Sequence, residues 1–369
     1  MASSIERFNL TLFESFPRVI NFAVGLYTDL ISNEVAGFIT EATASICLLL
    51  KTSANLCMPK LPNLWKLMVS PIVIDQDPTL YNMVNDSMLM TTQMVQMSSD
   101  LMKAFSVAYL ENRDYHSSVI LIFNALSNNL KKSESYSINA NLEQIFKFFI
   151  ISFANKFNSN SNVEDNYEIM KSRFEENLTV QDAIIESFCI LLTRLDPIHL
   201  RVAIRKVIDF FNVCMKVNNE GIKDDNNLEC ISYRFMFTRI MLKVTSGLES
   251  ALEQIYEELL KIDIDQLLMA YDTELIDDGD FLKRQLTIEA LSLFVNIKKF
   301  APNADKLFNA DYFNQCLNAI LLHVTPIKEA NTQDYVEKIV GGLAPSFAAL
   351  IDSTRDDQLW RVASQKIIE

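Results

Sequence analysis

Apolar residues recur along the chain at steps of three and four positions, the spacing that gathers them on one face of an α-helix. The clearest case starts at Pro197 and has the apolar positions Leu200, Ile204, Val207, Ile208, Phe211 and Met215. Asp196 can accept hydrogen bonds from the first free amides of such a helix, and a proline at the first helical position gives up a donor that had no partner. The sequence therefore predicts an amphipathic helix that begins at Pro197 and ends near Asn218.

The same spacing returns through most of the chain. It predicts further helices over 78–110, 116–130, 138–157, 178–194, 228–245 and 247–269, and from Leu282 to Ile297 and Val336 to Leu350. Short polar loops join these segments, and no strand-like alternation separates them, so the sequence predicts an all-α fold. We interpret it as a HEAT- or armadillo-like α-solenoid of stacked antiparallel helix pairs with a repeat of about 40 to 47 residues. An irregular all-α globule is the alternative, because no internal sequence identity repeats at that period.

Four prolines interrupt the helical spacing towards the N-terminus, at Pro59, Pro62, Pro71 and Pro78. Proline fixes its own φ angle and biases the preceding residue away from helix. We therefore predict N-terminal helical repeats over 1–58, an irregular Pro-rich crossing over 59–78 and a continuing HEAT-like solenoid over 79–369. The sequence stops at Glu369 inside a helical pattern, and we interpret it as a fragment of a longer protein.

The composition agrees with helices and narrows the range of partners. The 369 residues include only 7 Gly and 9 Pro, so the tight turns of all-β folds are scarce. Lys and Arg number 33 against 47 Asp and Glu, a net charge of −14, which argues against simple coating of nucleic acid. Residues 218–280 hold 5 basic and 15 acidic side chains, most of this excess. We interpret that segment as a solvated face, with an acidic docking surface for a basic partner as the alternative.

The residue types that carry catalysis are scattered. A zinc site needs His or Cys ligands at close spacing, yet His116, His199 and His323 lie far apart and no two cysteines form a CxxC pair. Apart from Gly341-Gly342 each glycine stands alone, so no phosphate-binding loop is present, and there is no GxSxG nucleophile motif. The sequence therefore predicts a protein that is not an enzyme and binds no cofactor, metal ion or small-molecule substrate.

The cysteines and the apolar stretches indicate the cellular setting. Six cysteines occur without a pattern, several of them within apolar helical runs such as Ile46-Cys47-Leu48, as is typical of reduced core thiols in an intracellular protein. The most apolar stretches, such as residues 148–154, are much shorter than the ~20 residues that a membrane helix needs. We expect neither secretion nor a membrane span.

A small basic group in the helix that starts at Pro197 is the candidate contact site. Arg201 and Arg205 are four residues apart and so share a helix face. Lys206 follows directly, and Arg194 lies just upstream. Guanidinium groups can hold phosphate or carboxylate with two hydrogen bonds. We predict that Arg201, Arg205 and Lys206 contact a partner protein or RNA; pairing with the chain's own acids is the alternative.

Around these residues the sequence resembles a known family. The run Leu200–Phe210 and the later patch Asp356–Arg361 resemble the C-terminal region of the U3 small nucleolar RNA-associated protein 10 family, large HEAT-repeat proteins of the small-subunit processome. Tyr335–Leu350 is similar to the helix that precedes the second patch in the family, and Tyr233–Leu260 is similar to a helix pair between the two. The family usually has Pro where this chain has Val202. It normally continues beyond the second patch with another repeat and an acidic tail, so the resemblance implies that this chain is a fragment or a divergent member.

The resemblance covers roughly residues 180–369 and implies a function. It implies a nucleolar, non-catalytic scaffold of the small-subunit processome, which supports ribosomal DNA transcription and pre-18S rRNA processing. Its partners would be other processome proteins and pre-ribosomal RNA within a ribonucleoprotein. The alternatives are a karyopherin-like nuclear transport receptor, whose acidic inner face would suit the acidic segment 218–280, and another HEAT-repeat scaffold for protein interactions.

Overall fold

A computed structural model describes residues 17–31, 33, 36–154, 167–216, 228–247, 278–300 and 361 of the chain. Nearly all of these residues are helical and none of them forms a strand, which confirms the predicted all-α class. The helices are α1 (17–31), α2 (Ala36–Cys57), α3 (Leu61–Met68), α4 (Pro71–Ile74), α5 (Pro78–Met94), α6 (Ser99–Asn112), α7 (His116–Lys132), α8 (Ser135–Ala140), α9 (Leu142–Phe153), α10 (Tyr167–Thr193), α11 (Pro197–Lys216), α12 (Leu228–Gly247) and α13 (Asp278–Phe300). A 3-10 turn over Met58–Lys60 joins α2 to α3.

The described residues fall into two compact units. The first contains those up to residue 155 and those in 175–195; the second contains those in 156–174 and from 196 onward. Within the first unit the helices form two rows of neighbours. In one row α2, α5 and α7 pack side by side, and the part of α10 that lies in this unit follows, hydrogen-bonded to α7. In the other row α3, α6 and α9 are neighbours.

Hydrogen bonds between neighbours show that the helices joined by them run in the same direction. In the last turn of α7, the Asn129 side chain donates to the carbonyl of Val95 at the end of α5 (2.7 Å). At the end of α6, the Asn112 side chain donates to the carbonyl of Lys66 in the last turn of α3 (3.0 Å). The first turns of α6 and α9 meet through a further side-chain hydrogen bond of 3.2 Å. In both rows, therefore, the hydrogen bonds join the C-terminal ends of neighbouring helices to each other, or their N-terminal turns to each other.

Aromatic side chains fill the space between the two rows. Tyr109 of α6 and Phe148 of α9 each pack against Phe123 of α7, with ring centroids 5.9 and 5.4 Å apart. All three side chains are buried. Phe188 of α10 packs against Phe149 of α9 at 5.2 Å, so the aromatic cluster extends to α10. Removal of this apolar surface from water is the main term that stabilises the unit.

The segment 59–78, predicted as an irregular crossing, contains short helices. Its four prolines stand in the first turns of the 3-10 turn, α3, α4 and α5. Proline is tolerated there because the amides of a first turn have no helical partners. Trp65 of α3 is fully buried against Phe105 of α6, with ring centroids 5.0 Å apart. The irregular backbone is therefore confined to the breaks between the short helices, and α3 is an integral part of its row.

A second difference lies in the predicted helix over 78–110, which the structure divides. α5 ends at Met94 and α6 begins at Ser99. The Ser98 hydroxyl accepts a hydrogen bond from the amide of Leu101 (3.2 Å) and caps the new helix. Apolar spacing continues across this break, so periodicity alone does not reveal it.

The second unit contains α11, α12 and α13, and α12 packs against both of the others. The apolar residues predicted for α13 are all buried: Leu282, Leu286, Ala290, Leu293 and Ile297. Phe211 of α11 packs against Phe237 of α12, with ring centroids 5.4 Å apart. The predicted helices over 247–269 and 336–350 lie outside the described residues, and so does most of the patch Asp356–Arg361.

Candidate functional site

The helix predicted from Pro197 is α11, and its start forms as the sequence predicts. The Asp196 carboxylate accepts hydrogen bonds from the backbone amides of Ile198 and His199, both at 3.0 Å. The same carboxylate contacts the His199 ring. These interactions with His199, its amide first, favour the charged carboxylate and hold the pKa of Asp196 below its usual value. The cap fixes where α11 begins and therefore which residues share its exposed face.

We expect Asp196→Ala to lower the midpoint of thermal unfolding at neutral pH, because it removes the acceptor of two helix-start amides. The pKa of Asp196 is lower in the folded protein than in the unfolded chain, so its charge stabilises the fold above the unfolded-state pKa. That stabilisation is lost as the pH falls through the folded-state pKa. The difference in midpoint between the wild type and Asp196→Ala should therefore shrink on acidification, as measured by circular dichroism. Asp196→Asn keeps an acceptor that does not titrate and is the control; a pH-independent deficit for Asp196→Ala would contradict the charged cap.

The three candidate contact residues project from the exposed side of α11. Arg201, Arg205 and Lys206 are exposed, whereas Ile204 and Val207 on the opposite side are buried. Arg201 and Arg205 lie one turn apart on the same face, as their spacing predicts. The structure thus brings the three basic side chains to one solvent-exposed side of a single helix.

The two arginines differ in their local partners. The Nε of Arg205 lies 3.3 Å from the carboxylate of Asp209, one turn later, and both side chains are exposed. Pairing with the chain's own acids, the alternative stated above, therefore occurs at Arg205. The guanidinium of Arg201 forms no ion pair or hydrogen bond with any residue that the structure describes. Arg201 is thus the most available cation of the three for an external group.

Arg194, which the sequence places just upstream of this group, has a structural role in the first unit. Its guanidinium donates a hydrogen bond to the carbonyl of Ser133, the residue that ends α7 (2.7 Å). The last carbonyls of a helix have no helical partner, so this bond satisfies one of them. Arg194 is therefore a helix-capping residue and does not belong with the exposed cations of α11.

Reasoning from the sequence missed the apolar part of the same face. Ile198, Val202 and Val213 are 75%, 49% and 61% exposed, and helical spacing places them on the side that carries Arg201 and Arg205. Ile198 and Val202 lie one turn apart, and a group of neighbouring exposed aliphatic side chains is more typical of an interaction surface than a single exposed residue is. The sequence did contain a signal, because Ile198 and Val202 are four residues apart and lie outside the buried stripe. We call the exposed side of α11 the α11 face. It carries Ile198, Arg201, Val202, Arg205, Lys206, Asp209 and Val213.

The described histidines lie beside acids. The Nδ1 of His116 is 3.3 Å from the carboxylate of Glu176, and His199 contacts the cap of α11. His323 lies outside the described residues. Within the part of the chain that the structure describes, no group of three or more His, Cys, Asp or Glu side chains could hold a metal ion. The described histidines are thus placed as surface and capping groups.

Two of the six cysteines lie in the core of the first unit. Cys47 and Cys57 are buried, as predicted, and burial raises the pKa of the Cys47 thiol to about 11. Such a thiol is protonated at neutral pH and is a poor nucleophile. Among the helices described, none combines the length and the apolar character that crossing a membrane requires.

One depression of about 180 Å³ opens on the first unit. It is lined by Ile31, Lys66, Leu67, Ser70, Ile72, Glu111 and Asn112. The Nζ of Lys66 lies 3.3 Å from the carboxylate of Glu111, and the Asn112 side chain is bonded to the Lys66 carbonyl. The polar groups around the depression are therefore engaged with one another, and they hold α3 against α6.

No known protein-family model and no curated protein sequence matches this chain. The observations define a class of fold, an all-α protein, and a candidate contact surface, the α11 face.

Proposed function

We propose that the chain is a HEAT-like α-solenoid that works as a non-catalytic scaffold of the nucleolar small-subunit processome. In this role it holds other processome proteins, and pre-ribosomal RNA, during ribosomal DNA transcription and pre-18S rRNA processing. The observation that carries the architecture is the pair of same-direction helix rows in the first unit. The assignment to the processome rests on the sequence resemblance over residues 180–369.

The two rows support stacked helix pairs for a geometric reason. The chain passes from α5 in one row to α6 in the other through residues 95–98, and it returns to the first row at α7 through residues 113–115. Connections this short favour opposite directions for consecutive helices. Each pair then lies beside the next in the same orientation, which is the arrangement that builds a solenoid.

A scaffold needs an accessible surface for its partners. The α11 face is such a surface, and its cations favour partners that carry negative charge. Arg201, Arg205 and Lys206 suit the phosphate or carboxylate groups of a partner. The chain as a whole carries a net charge of −14, so a locally basic face determines where an acidic group can approach. α11 also contains the run Leu200–Phe210, one of the two patches that carry the family resemblance.

Affinity purification tests this function. The protein is tagged in its own cells and purified at moderate salt, and the co-purifying precursor ribosomal RNA and processome proteins are quantified. We expect both to be enriched over an untagged control. Enrichment of the small GTPase of nuclear transport together with nuclear-pore proteins would instead identify a karyopherin-like receptor and overturn the proposal.

We expect alanine at Arg201, Arg205 and Lys206 together to reduce retention of processome components about tenfold. The estimate assumes that each exposed charge contributes about 0.5 kcal/mol to binding, so that the three together contribute about 1.4 kcal/mol, or a factor of ten. Helical content by circular dichroism should not change, because all three side chains are exposed. The matched control replaces three exposed lysines of the first unit by alanine: Lys103, Lys131 and Lys132. Equal loss in both triple variants, or unfolding without a selective loss of binding, would contradict the predicted contact site.

A further inference from the structure

The α11 face is amphipathic as well as basic, and this restricts what can bind it. By the spacing of an α-helix, Ile198 and Val202 lie between Arg201 on one flank and Lys206 on the other. Val213, which is 61% exposed, lies about three turns further along the helix, beyond Asp209. The face therefore has a small aliphatic patch, Ile198 and Val202, with a cation on each flank, and the Asp209 carboxylate lies between this patch and Val213.

A nucleic acid would use only part of this surface. Aliphatic side chains offer bases neither hydrogen bonds nor aromatic stacking, the two means by which unpaired bases are held. The carboxylate of Asp209 lies near the centre of the same face and engages Arg205 at 3.3 Å. Its charge disfavours any anion over the centre of the face, phosphate or carboxylate alike, and leaves the flanks at Arg201 and Lys206 favourable for anions. An RNA backbone would thus be restricted to the flanks of the face and would leave Ile198 and Val202 uncovered.

Resting on the scaffold function proposed above, we propose that the α11 face binds an acidic amphipathic helix of a partner protein. Aliphatic side chains of that helix pack on Ile198, Val202 and Val213, and carboxylates along its flanks meet Arg201 and Lys206. The charges on the face select this occupant, because cations on both flanks attract a helix with acids on both flanks. A second copy of this chain fits poorly, since a symmetric contact of the face with itself would oppose cations to cations.

The apolar and charged parts of the face have separable effects on binding. Burial of the aliphatic side chains provides affinity for any helix of matching shape. The flanking cations add less affinity at an exposed site, but they exclude helices with basic flanks. Substitutions in the two parts therefore give different results with acidic and basic peptides.

Fluorescence anisotropy on the full chain tests the proposal with two labelled probes. One is a synthetic helical peptide of about 20 residues with leucines along one face and glutamates on both flanks, and the other is a single-stranded RNA of about 20 nucleotides. Ile198→Ser should weaken peptide binding about tenfold. Arg201→Glu should weaken it about fivefold. Arg201→Glu combined with Lys206→Glu should bind a peptide in which lysines replace the glutamates, which the wild type should not bind.

Matched controls and contrary outcomes keep the test decisive. Leu110→Ser in α6 replaces an aliphatic side chain that is 49% exposed, as Val202 is, and should leave peptide binding unchanged. RNA binding that is tighter than peptide binding and insensitive to Ile198→Ser would assign the face to nucleic acid and overturn the proposal. Failure to bind the acidic peptide, or equal binding of the lysine peptide by the wild type, would also overturn it. None of these results changes the co-purification of the wild type with processome components, so the two proposals fail independently.

Discussion

Asn129→Leu is expected to reduce the free energy of unfolding of the first unit by about 3 to 5 kcal/mol. Asn129 is fully buried, and its amide donates to the carbonyls of Thr92 (3.0 Å) and Val95 (2.7 Å). These carbonyls end α5, where the helix itself supplies no donor. Leucine has a similar volume, so the packing is largely kept while two buried carbonyls lose their partner. Each such loss costs about 1 to 3 kcal/mol.

The same side chain also holds the connection between the two rows. The Oδ1 of Asn129 accepts from the Ser133 hydroxyl (3.0 Å), and the oxygen of that hydroxyl accepts from the amide of Met97 (2.9 Å). Urea unfolding measures the effect, and Asn124→Leu, at an exposed position of α7, is the control. A cost below about 1 kcal/mol for Asn129→Leu, or equal costs for the two variants, would show that the network does not stabilise the unit.

Phe188→Ala is the second large effect that we expect, at about 3 to 5 kcal/mol. The Phe188 ring is fully buried and lies 5.2 Å, centroid to centroid, from both Phe149 and Phe153. It joins α10 to α9, so alanine leaves a cavity between the two helices. The cost combines the lost transfer free energy of the ring with the contacts that its neighbours lose.

Two further phenylalanine substitutions calibrate this result. Phe22→Ala removes a ring that is 73% exposed and should change the free energy of unfolding by less than about 0.5 kcal/mol. Phe188→Leu keeps most of the volume and should cost about 1.5 kcal/mol. If Phe188→Ala changed the free energy of unfolding in urea as little as Phe22→Ala does, that result would contradict the packing of α9 against α10.

Features set by neighbouring residues were predictable from the sequence. Asp196 and Pro197 fix the start of α11 within its own first turn, and the predicted cap is confirmed. The buried stripe of α13 was predicted equally well, because apolar spacing depends only on helical geometry. The short helices of 59–78 were not predicted from the prolines. A proline is compatible both with the end of one helix and with the first turn of the next, and the spacing of residues does not distinguish these two roles.

Features set by distant contacts were not predictable from one sequence. Nothing in the sequence near Asn129 indicates that its side-chain amide will donate a hydrogen bond to the backbone carbonyl of Val95, which is 34 residues away. Nothing near Arg194 indicates a bond to the Ser133 carbonyl, which is 61 residues away. At the candidate site the basic residues were identified from their charge, whereas Ile198 was overlooked because an aliphatic residue in a helical pattern resembles a core residue until its exposure is known.

Sedimentation of the tagged protein from nuclear extract most directly tests whether it is a scaffold within a large ribonucleoprotein. The extract is separated on a sucrose gradient, and each fraction is probed for the protein and for pre-18S rRNA. We expect the protein to sediment with the precursor RNA in fast fractions and to move to slow fractions after ribonuclease treatment. Sedimentation only in slow fractions, with no precursor RNA in the same fractions, would contradict the scaffold function.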